Sequence, residues 1–119
     1  MYKVTYESRP DFLLITISGP ESYKNAAGFW KNLAQKATEE NISKLMVVDH
    51  VSGKLNTLEL HQLGELISKL FRGVRIAFVD PKEETYSDNQ YGETVIQNRY
   101  GEVVLFSSTS EAEDWLTGD

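Results

Sequence analysis

Residues 45–79 read LMVVDHVSGKLNTLELHQLGELISKLFRGVRIAFV, and this stretch decides the fold class. It begins with a short run, residues 45–48, that is apolar on both faces, as is typical of a buried parallel strand. A second such run, residues 76–79, lies in the strand predicted at residues 75–79. Between the two runs, apolar residues recur at helical spacing and line one face: Leu60, Leu63, Ile67 and Leu70. The stretch therefore predicts a strand–helix–strand unit with a right-handed crossover between parallel strands.

Signals at the helix ends support this interpretation. Asn56 stands where a helix N-cap belongs, and Glu59 occupies the third helical position, which is a variant of the capping box. Gly73 follows the last apolar residue of the helix and is predicted to end it.

The same alternation continues toward the C-terminus. Ser87 and Gln90 form a second capping signature, which predicts a helix that runs to about Arg99. A strand follows at residues 103–106. Residues 110–113 (Ser-Glu-Ala-Glu) form a full capping box and predict a short terminal helix that packs two side chains inward, Trp115 and Leu116.

The N-terminal segment alternates with period two instead. Residues 2–6 and 12–18 are predicted to form an antiparallel hairpin around a turn at residues 8–11. A helix follows residues 19–21 and continues to about Glu40, with Asn41 as its stop. The predicted order is ββαβαβαβα: an α/β fold with a mostly parallel open sheet and an N-terminal antiparallel hairpin, in a single domain over residues 1–119.

Composition excludes several classes of function. The chain carries 12 basic and 18 acidic residues, a formal charge of −6, and its basic residues are scattered. Nucleic-acid binding needs clustered lysine and arginine, so we expect no nucleic-acid partner. The longest apolar runs have about four residues, far short of the roughly 20 that a membrane span needs. There is no cysteine, which excludes disulfides and thiolate metal sites and fits a cytoplasmic location.

Polar residues follow the predicted parallel strands. Asp49 and Asp80 each come directly after a buried strand, and ligands of open α/β sheets bind beyond the carboxyl ends of the strands. With His50, these two carboxylates form a combination that binds metals or shares acid–base work. The alternative is that each aspartate only bonds its local backbone, as aspartates commonly do. We favour this alternative and predict no catalytic, metal or cofactor site, and therefore no enzyme.

Tyrosines bracket the predicted third helix. Tyr91 with Val95 forms its apolar face, so we expect Tyr91 to pack inward. Tyr86 is left open between packing and an interface role.

In the order of its elements, nearly the whole chain resembles the STAS/SpoIIAA-like superfamily, and in particular its small uncharacterised bacterial members; the residues that carry the resemblance are concentrated after position 74. The resemblance rests on the late helix, the turn after it, the last strand and the terminal helix: residues 91–95 (Tyr-Gly-Glu-Thr-Val), Asn98-Arg99-x-Gly101, Phe106, and Glu111-Ala112-x-x-Trp115-Leu116. It implies a regulatory or protein-interaction module. In anti-sigma-factor antagonists of this superfamily, a partner kinase phosphorylates a serine that follows an aspartate. The matching positions here hold Asn56 and Thr57, so the Asp-Ser pair is absent and Thr57 is the residue equivalent to the phospho-acceptor.

Two functional hypotheses follow. The first is a non-enzymatic interaction module that meets a protein partner near the start of the second helix. Self-association is a further expectation, since an open sheet can leave an exposed edge strand for a second copy to cover. The second is a carrier or sensor of a small apolar or amphipathic ligand, by comparison with Sec14-like lipid carriers. The candidate partner or ligand face comprises seven residues: Asp49, His50, Ser52, Lys54, Asn56, Thr57 and Asp80. An enzyme that uses Asp49, His50 and Asp80 is the third and least favoured hypothesis.

Overall fold

The computed structural model describes residues 1–118 and contains one five-stranded mixed sheet with four helices. The strands are β1 (Lys3–Ser8), β2 (Leu13–Pro20), β3 (Lys44–Ser52), β4 (Arg75–Val79) and β5 (Glu102–Phe106). The helices are α1 (Tyr23–Glu39), α2 (Thr57–Leu70), α3 (Glu83–Gln97) and α4 (Thr109–Thr117). Strand order in the sheet follows the sequence; β1 pairs antiparallel with β2, and all later neighbours are parallel. The predicted order and sheet type are confirmed.

Helices α1, α2 and α3 cover one face of the sheet and enclose the larger core. Alternate residues of the strands point into it, as the period of two requires, among them Ile15, Val47 and Ile76. Trp30 of α1 lies near the middle, with its ring edge-on to Phe71 and tilted against Phe78. The apolar side chains of α2 pack against this cluster, so the predicted strand–helix–strand unit forms the middle of the molecule.

Helix α4 packs alone on the other face. Ala112 and Leu116 are fully buried there against Met46 and Val79. Trp115 packs more loosely, its ring beside Phe106. This arrangement confirms the predicted inward packing of the terminal helix.

Several helix ends match the sequence signals. Asn56 accepts the Glu59 N–H at 2.8 Å while the Glu59 carboxylate accepts the Asn56 N–H at 3.0 Å, which completes the capping box. Asn41 adopts a positive φ of 55° directly after α1, where the Ile42 N–H reaches back to the Ala37 carbonyl. This is the left-handed stop that asparagine tolerates well.

Three predicted boundaries were wrong. β3 continues to Ser52 instead of ending at Val48, because Val51 is buried and β2 pairs alongside it as far as Pro20. α3 begins at Glu83, ahead of the Ser87 signature, because the Thr85 hydroxyl is held by Asp80 and the acidic residues 83 and 84 favour a helix N-terminus.

The third error concerns α4, which is capped by Ser108 and not by Ser110. The Ser108 hydroxyl accepts the Glu111 N–H, so the helix starts one residue before the predicted cap. The prediction for Tyr91 was also wrong: its side chain is 41 % exposed on α3, whereas Val95 and Ile96 face the core.

None of the helices within residues 1–118 combines the length and apolar composition that a membrane span requires.

Candidate functional site

Asp49, in the C-terminal half of β3, and Asp80, directly after β4, lie at the same end of the sheet, where the parallel strands finish. Lys82, three residues beyond the end of β4, joins them. Its ammonium lies 3.0 Å from Asp80 Oδ1 and 3.5 Å from Asp49 Oδ1, and it donates to the Asp49 main-chain oxygen at 2.8 Å. The two predicted aspartates therefore do share one site, and a lysine holds them together.

Asp80 is the most enclosed member of this site, with no exposed surface. Its Oδ2 accepts the Thr85 hydroxyl at 2.7 Å and the Asn89 side-chain amide at 2.6 Å, and its Oδ1 accepts the Lys82 N–H at 3.0 Å. Burial alone would raise the pKa of Asp80, but these hydrogen bonds and the Lys82 ammonium outweigh it and hold the pKa below its usual value. Asp80 is therefore a charged anchor that fixes the start of α3.

Asp49 differs from Asp80 in its electrostatics. It is 7 % exposed, and its Oδ1 accepts the Val51 N–H at 2.8 Å. Burial raises the pKa of Asp49, the negative charge of Asp80 adds to the effect, and the Val51 N–H and Lys82 counteract it only in part. Its Oδ2 has a single weak donor, the Asn89 amide at 3.5 Å, so this oxygen can accept a further hydrogen bond.

Both aspartates also bond the backbone two residues ahead, as the structural alternative predicted. The two interpretations are thus compatible: each aspartate shapes its own turn with one oxygen and faces its neighbours with the other.

Tyr2 and Glu21 form a second polar pair beside Asp49. The Tyr2 hydroxyl donates to the Glu21 carboxylate, which also accepts the Ser22 N–H. Burial raises the pKa of Glu21, partly offset by these donors, and burial together with the Glu21 acceptor raises the pKa of Tyr2 above its usual range. We call the whole set the strand-end cluster: Tyr2, Glu21, Asp49, Asp80, Lys82, Thr85 and Asn89.

An apolar cavity of about 60 Å³ lies between α2 and α3, over β4 and β5. Trp30 and Phe78 contribute aromatic surface to it, and the remaining wall is largely aliphatic: Leu60, Leu63, Ile67, Ile96, Val103 and Leu105. Gly64 lets the two helices approach closely, since a Cβ at this position would lie 2.8 Å from Val95 Cγ1. The middle of α2 therefore touches the C-terminal part of α3.

A smaller, polar cavity of about 40 Å³ adjoins the apolar one. The two share five lining residues: Trp30, Leu60, Leu63, Phe78 and Asn89. The carboxylates of Glu21, Asp49 and Asp88 line the polar cavity, together with a single lysine, Lys54. The two cavities thus lie side by side, one with an apolar lining and one rich in hydrogen-bond acceptors, and we call them together the groove.

His50 does not belong to this site. Consecutive strand residues point to opposite faces, so His50 is exposed on the α4 side while Asp49 points toward α1–α3. The trio Asp49, His50 and Asp80, considered as an acid–base set, is therefore not assembled. Nor do residues 1–118 bring three or more histidine, cysteine, aspartate or glutamate side chains into an arrangement that could hold a metal ion.

The remaining candidate residues lie around the N-terminus of α2. Ser52 donates to the Gly19 carbonyl at 3.3 Å, Lys54 is exposed beside the polar cavity, and Asn56 caps the helix. Thr57, the first residue of α2, is exposed. The next residue, Leu58, is 65 % exposed and so presents an apolar side chain to solvent at this helix end.

Five members of the strand-end cluster were not among the predicted site residues: Tyr2, Glu21, Lys82, Thr85 and Asn89. A signal for two of them was present, because Thr85 and Asn89 stand four residues apart and share one face of α3. That signal was obscured because the helix was predicted to begin later. Tyr2 reaches the site only through the pairing of β1 with β2, which places the N-terminus beside Gly19 and Glu21.

Comparison with known proteins identifies the fold. No protein-family model and no curated protein matches the chain. Among solved structures, an uncharacterised protein of the DUF3478 family from Shewanella loihica PV-4, described as having a SpoIIAA-like fold, matches with a TM-score of 0.54 and 18% identity over 97% of this chain and 93% of that chain. The chain has a SpoIIAA-like fold.

A second solved structure agrees with this assignment. The NMR structure of the protein TM1081 matches with a TM-score of 0.54 and 16% identity, covering 96% of this chain and 88% of that chain. The expected resemblance to SpoIIAA-like proteins is thus confirmed at the level of the fold. Sequence identities this low extend the likeness no further than the fold.

Proposed function

We propose that this SpoIIAA-like domain is a non-enzymatic sensor or carrier of a small amphipathic molecule, bound in the groove between α2 and α3. The observation that carries the proposal is the adjacency of the two cavities: the apolar one shares five lining residues with the polar one. Ligand sites of proteins typically combine a predominantly apolar lining with a few polar groups that fix orientation.

The size of the groove sets the size of the ligand. The apolar cavity of about 60 Å³ accommodates only a short chain or a single small ring unless α2 and α3 move apart. A larger tail requires the helices to separate, and such a movement would break the 3.1 Å ion pair between Arg99 and Glu65 that links them.

The charges of the polar cavity set the chemistry of the head group. Glu21, Asp49 and Asp88 outnumber Lys54, and Asp49 Oδ2 has room for a further donor. A head group that donates hydrogen bonds, such as a primary amine or a hydroxyl, is complementary to these acceptors, whereas a carboxylate would face like charge.

Tryptophan fluorescence tests this proposal. The chain has two tryptophans, and Trp115→Phe leaves only Trp30, which lines both cavities. We expect hexylamine and hexanol to change the Trp30 emission saturably, and hexanoate to bind at least about tenfold more weakly because of charge repulsion.

Matched variants locate the binding. Leu63→Phe places a larger side chain in the shared part of the two cavities and should abolish the response. Leu58→Phe makes the same chemical change on the exposed side of α2 and should leave the response intact. No saturable response to any of the three probes, or equal responses in both variants, would contradict the proposal.

Exposed Leu58 favours a second candidate function, a protein-interaction face at the N-terminus of α2. Ser52, Lys54 and Thr57 lie around this end and are exposed. A phosphate on Thr57 would add about two negative charges at the positive end of a helix, and the domain could thereby switch its affinity for an acidic partner.

Photo-crosslinking tests this second candidate. A photoreactive residue at position 58 should give one discrete adduct in cell extract, which Thr57→Glu alters, and the same residue at exposed position 113 on α4 should give none. The same pattern from both positions would remove the case for this face.

A further inference from the structure

The two edge strands of the sheet, β1 and β5, differ in whether other groups bond their outer backbone atoms. On the β5 edge, side chains of α3 occupy backbone groups of the strand: the Leu105 N–H donates to Glu93 Oε2 at 2.7 Å, and Gln97 Nε2 donates to the Val103 carbonyl at 2.9 Å. Val103 and Leu105 are alternate residues and so present these groups on the same side of the strand. The β5 edge is therefore closed to a further strand.

The β1 edge differs from the β5 edge. Within residues 1–118, no strand pairs with the outer side of β1. Every residue of β1 except the half-buried Val4 is exposed. An edge strand of this kind presents unpaired N–H and C=O groups, and proteins usually cover it or block it.

We propose that a second copy of the chain pairs with β1, antiparallel and centred on Thr5, so that one sheet runs through both copies. Antiparallel partners must both direct their backbone groups across the interface, and in a regular strand only alternate residues do so. Two identical antiparallel strands therefore pair only in registers in which the numbers of any two residues opposite each other add up to an even value.

Charge complementarity selects one of these registers. Centring on Thr5 places Lys3 opposite Glu7 of the second copy, and twofold symmetry repeats this pair. Centring on Val4 places Lys3 opposite Thr5 and Glu7 opposite Met1, and centring on Tyr6 places Lys3 opposite Arg9, a like charge. Shifts of two residues from Thr5 place Lys3 opposite Lys3 or Glu7 opposite Glu7. Like charges directly opposite each other destabilise strand pairing.

The other face of β1 agrees with the same register. Centring on Thr5 places Val4 opposite Tyr6 of the second copy, a β-branched residue against an aromatic one, which is a favourable cross-strand pair. Both side chains lie on the α1 side of the sheet, where Lys36 sits over the Tyr6 ring at 4.8 Å. Pairing would thus cover the exposed part of Tyr6.

Sedimentation velocity with charge variants tests the dimer and its register. We expect wild-type protein to dimerise, and Lys3→Glu or Glu7→Lys alone to raise the dissociation constant by about tenfold or more, since each places like charges opposite each other twice. An equimolar mixture of the two variants restores both opposite-charge pairs and should dimerise again, as should the double variant Lys3→Glu/Glu7→Lys.

Controls separate this effect from net charge and from misfolding. Lys69→Glu, at an exposed position of α2, changes the net charge as Lys3→Glu does and should leave the dimer unchanged. Circular dichroism and thermal unfolding should show all variants folded; the exposed Glu7–Arg9 ion pair lost in Glu7→Lys contributes little to stability.

A cross-link tests the symmetry axis independently. The chain has no cysteine, so Thr5→Cys introduces a unique thiol where the proposed axis passes. Opposed residues of antiparallel strands lie about 4.5–5.5 Å apart at Cα, within the range of a disulfide. Thr5→Cys should form a disulfide-linked dimer on mild oxidation, and Glu102→Cys on the opposite edge should not. A wild-type protein that stays monomeric at its highest soluble concentration would overturn the proposal, as would a dimer indifferent to the Lys3 and Glu7 variants.

Discussion

Lys82 and Asp49 tie together the carboxyl ends of two neighbouring parallel strands: the Lys82 ammonium donates to the Asp49 main-chain oxygen at 2.8 Å and lies 3.5 Å from its carboxylate. The same ammonium neutralises buried Asp80 at 3.0 Å. This contact holds together the strand ends that border the groove between α2 and α3.

Removing the charge of Lys82 should therefore be costly. Lys82→Met leaves two largely buried carboxylates without their cation, and we expect it to lower the free energy of unfolding by about 2 kcal/mol. This is less than the roughly 3–5 kcal/mol of a broken buried pair, because Lys82 is partly exposed. Urea unfolding at pH 7 measures this loss. The double variant Lys82→Met/Asp49→Asn should recover part of it, because the amide oxygen still accepts the Val51 N–H. A Lys82→Met protein as stable as wild type would contradict this view of the site.

Asp49 should make the domain less stable as the pH rises. Its pKa is raised in the folded state, so folding favours its protonated form, and its contribution to stability is present below its unfolded pKa and lost as the pH rises through the higher folded value. Asp49→Asn lacks this loss. The stability of the variant minus that of wild type should therefore grow as the pH rises above about 4, the usual value for aspartate.

Urea unfolding of both proteins across this pH range, at constant ionic strength, measures the difference. Asp80→Asn is the matched control with the opposite sign, because the pKa of Asp80 is lowered in the folded state. Its stabilising contribution is present above its unfolded pKa and lost as the pH falls. A pH-independent difference between Asp49→Asn and wild type would refute the assigned shift.

Gly64 should be required for the close contact of α2 with α3. Gly64→Ala gains about 1 kcal/mol of helix propensity, but its Cβ would lie 2.8 Å from Val95 Cγ1, and we expect a net loss of about 1–2 kcal/mol. Val95→Ala removes the clashing methyl groups, so Gly64→Ala should be far less harmful in that background. Thermal or urea unfolding of wild type, the two single variants and the double variant gives the coupling free energy between the two positions. Strictly additive effects would argue against the contact.

Tyr100 is held in a strained backbone conformation. Its φ is +64° at the turn after α3, and its side chain is 97 % exposed, so little packing compensates. Tyr100→Gly should stabilise the domain by about 0.5–1 kcal/mol, because glycine adopts this region without the Cβ penalty. Tyr91→Gly makes the same change within α3 and should destabilise by about 1 kcal/mol. Loss of stability in both variants would be inconsistent with strain at Tyr100.

The sequence predicted the fold well because its signals are local. Residues 45–48 and 76–79 are short apolar runs, and the Asn56–Glu59 box marks the start of α2 unambiguously. Boundaries were wrong where tertiary contacts decide them: Asp80 holds Thr85 and so starts α3 early, and β2 holds β3 as far as Ser52.

The site was predicted only in part for the same reason. Because ligands bind beyond the carboxyl ends of parallel strands, Asp49 and Asp80 were expected at one site. In the structure Lys82 joins them. Tyr2 enters through strand pairing, and the groove depends on how closely Gly64 lets two helices approach. Neither contact is local in the sequence, so neither could be predicted from spacing or composition.

Native mass spectrometry of gently purified protein, compared with its Leu63→Phe variant, tests the central claim most directly. A ligand-binding groove predicts a wild-type protein that carries a small molecule with an apolar body and an amine or hydroxyl head, released on unfolding, and a folded variant that carries none. Wild-type protein that is free of any such molecule and gains none when incubated with hexylamine or hexanol would contradict the claim.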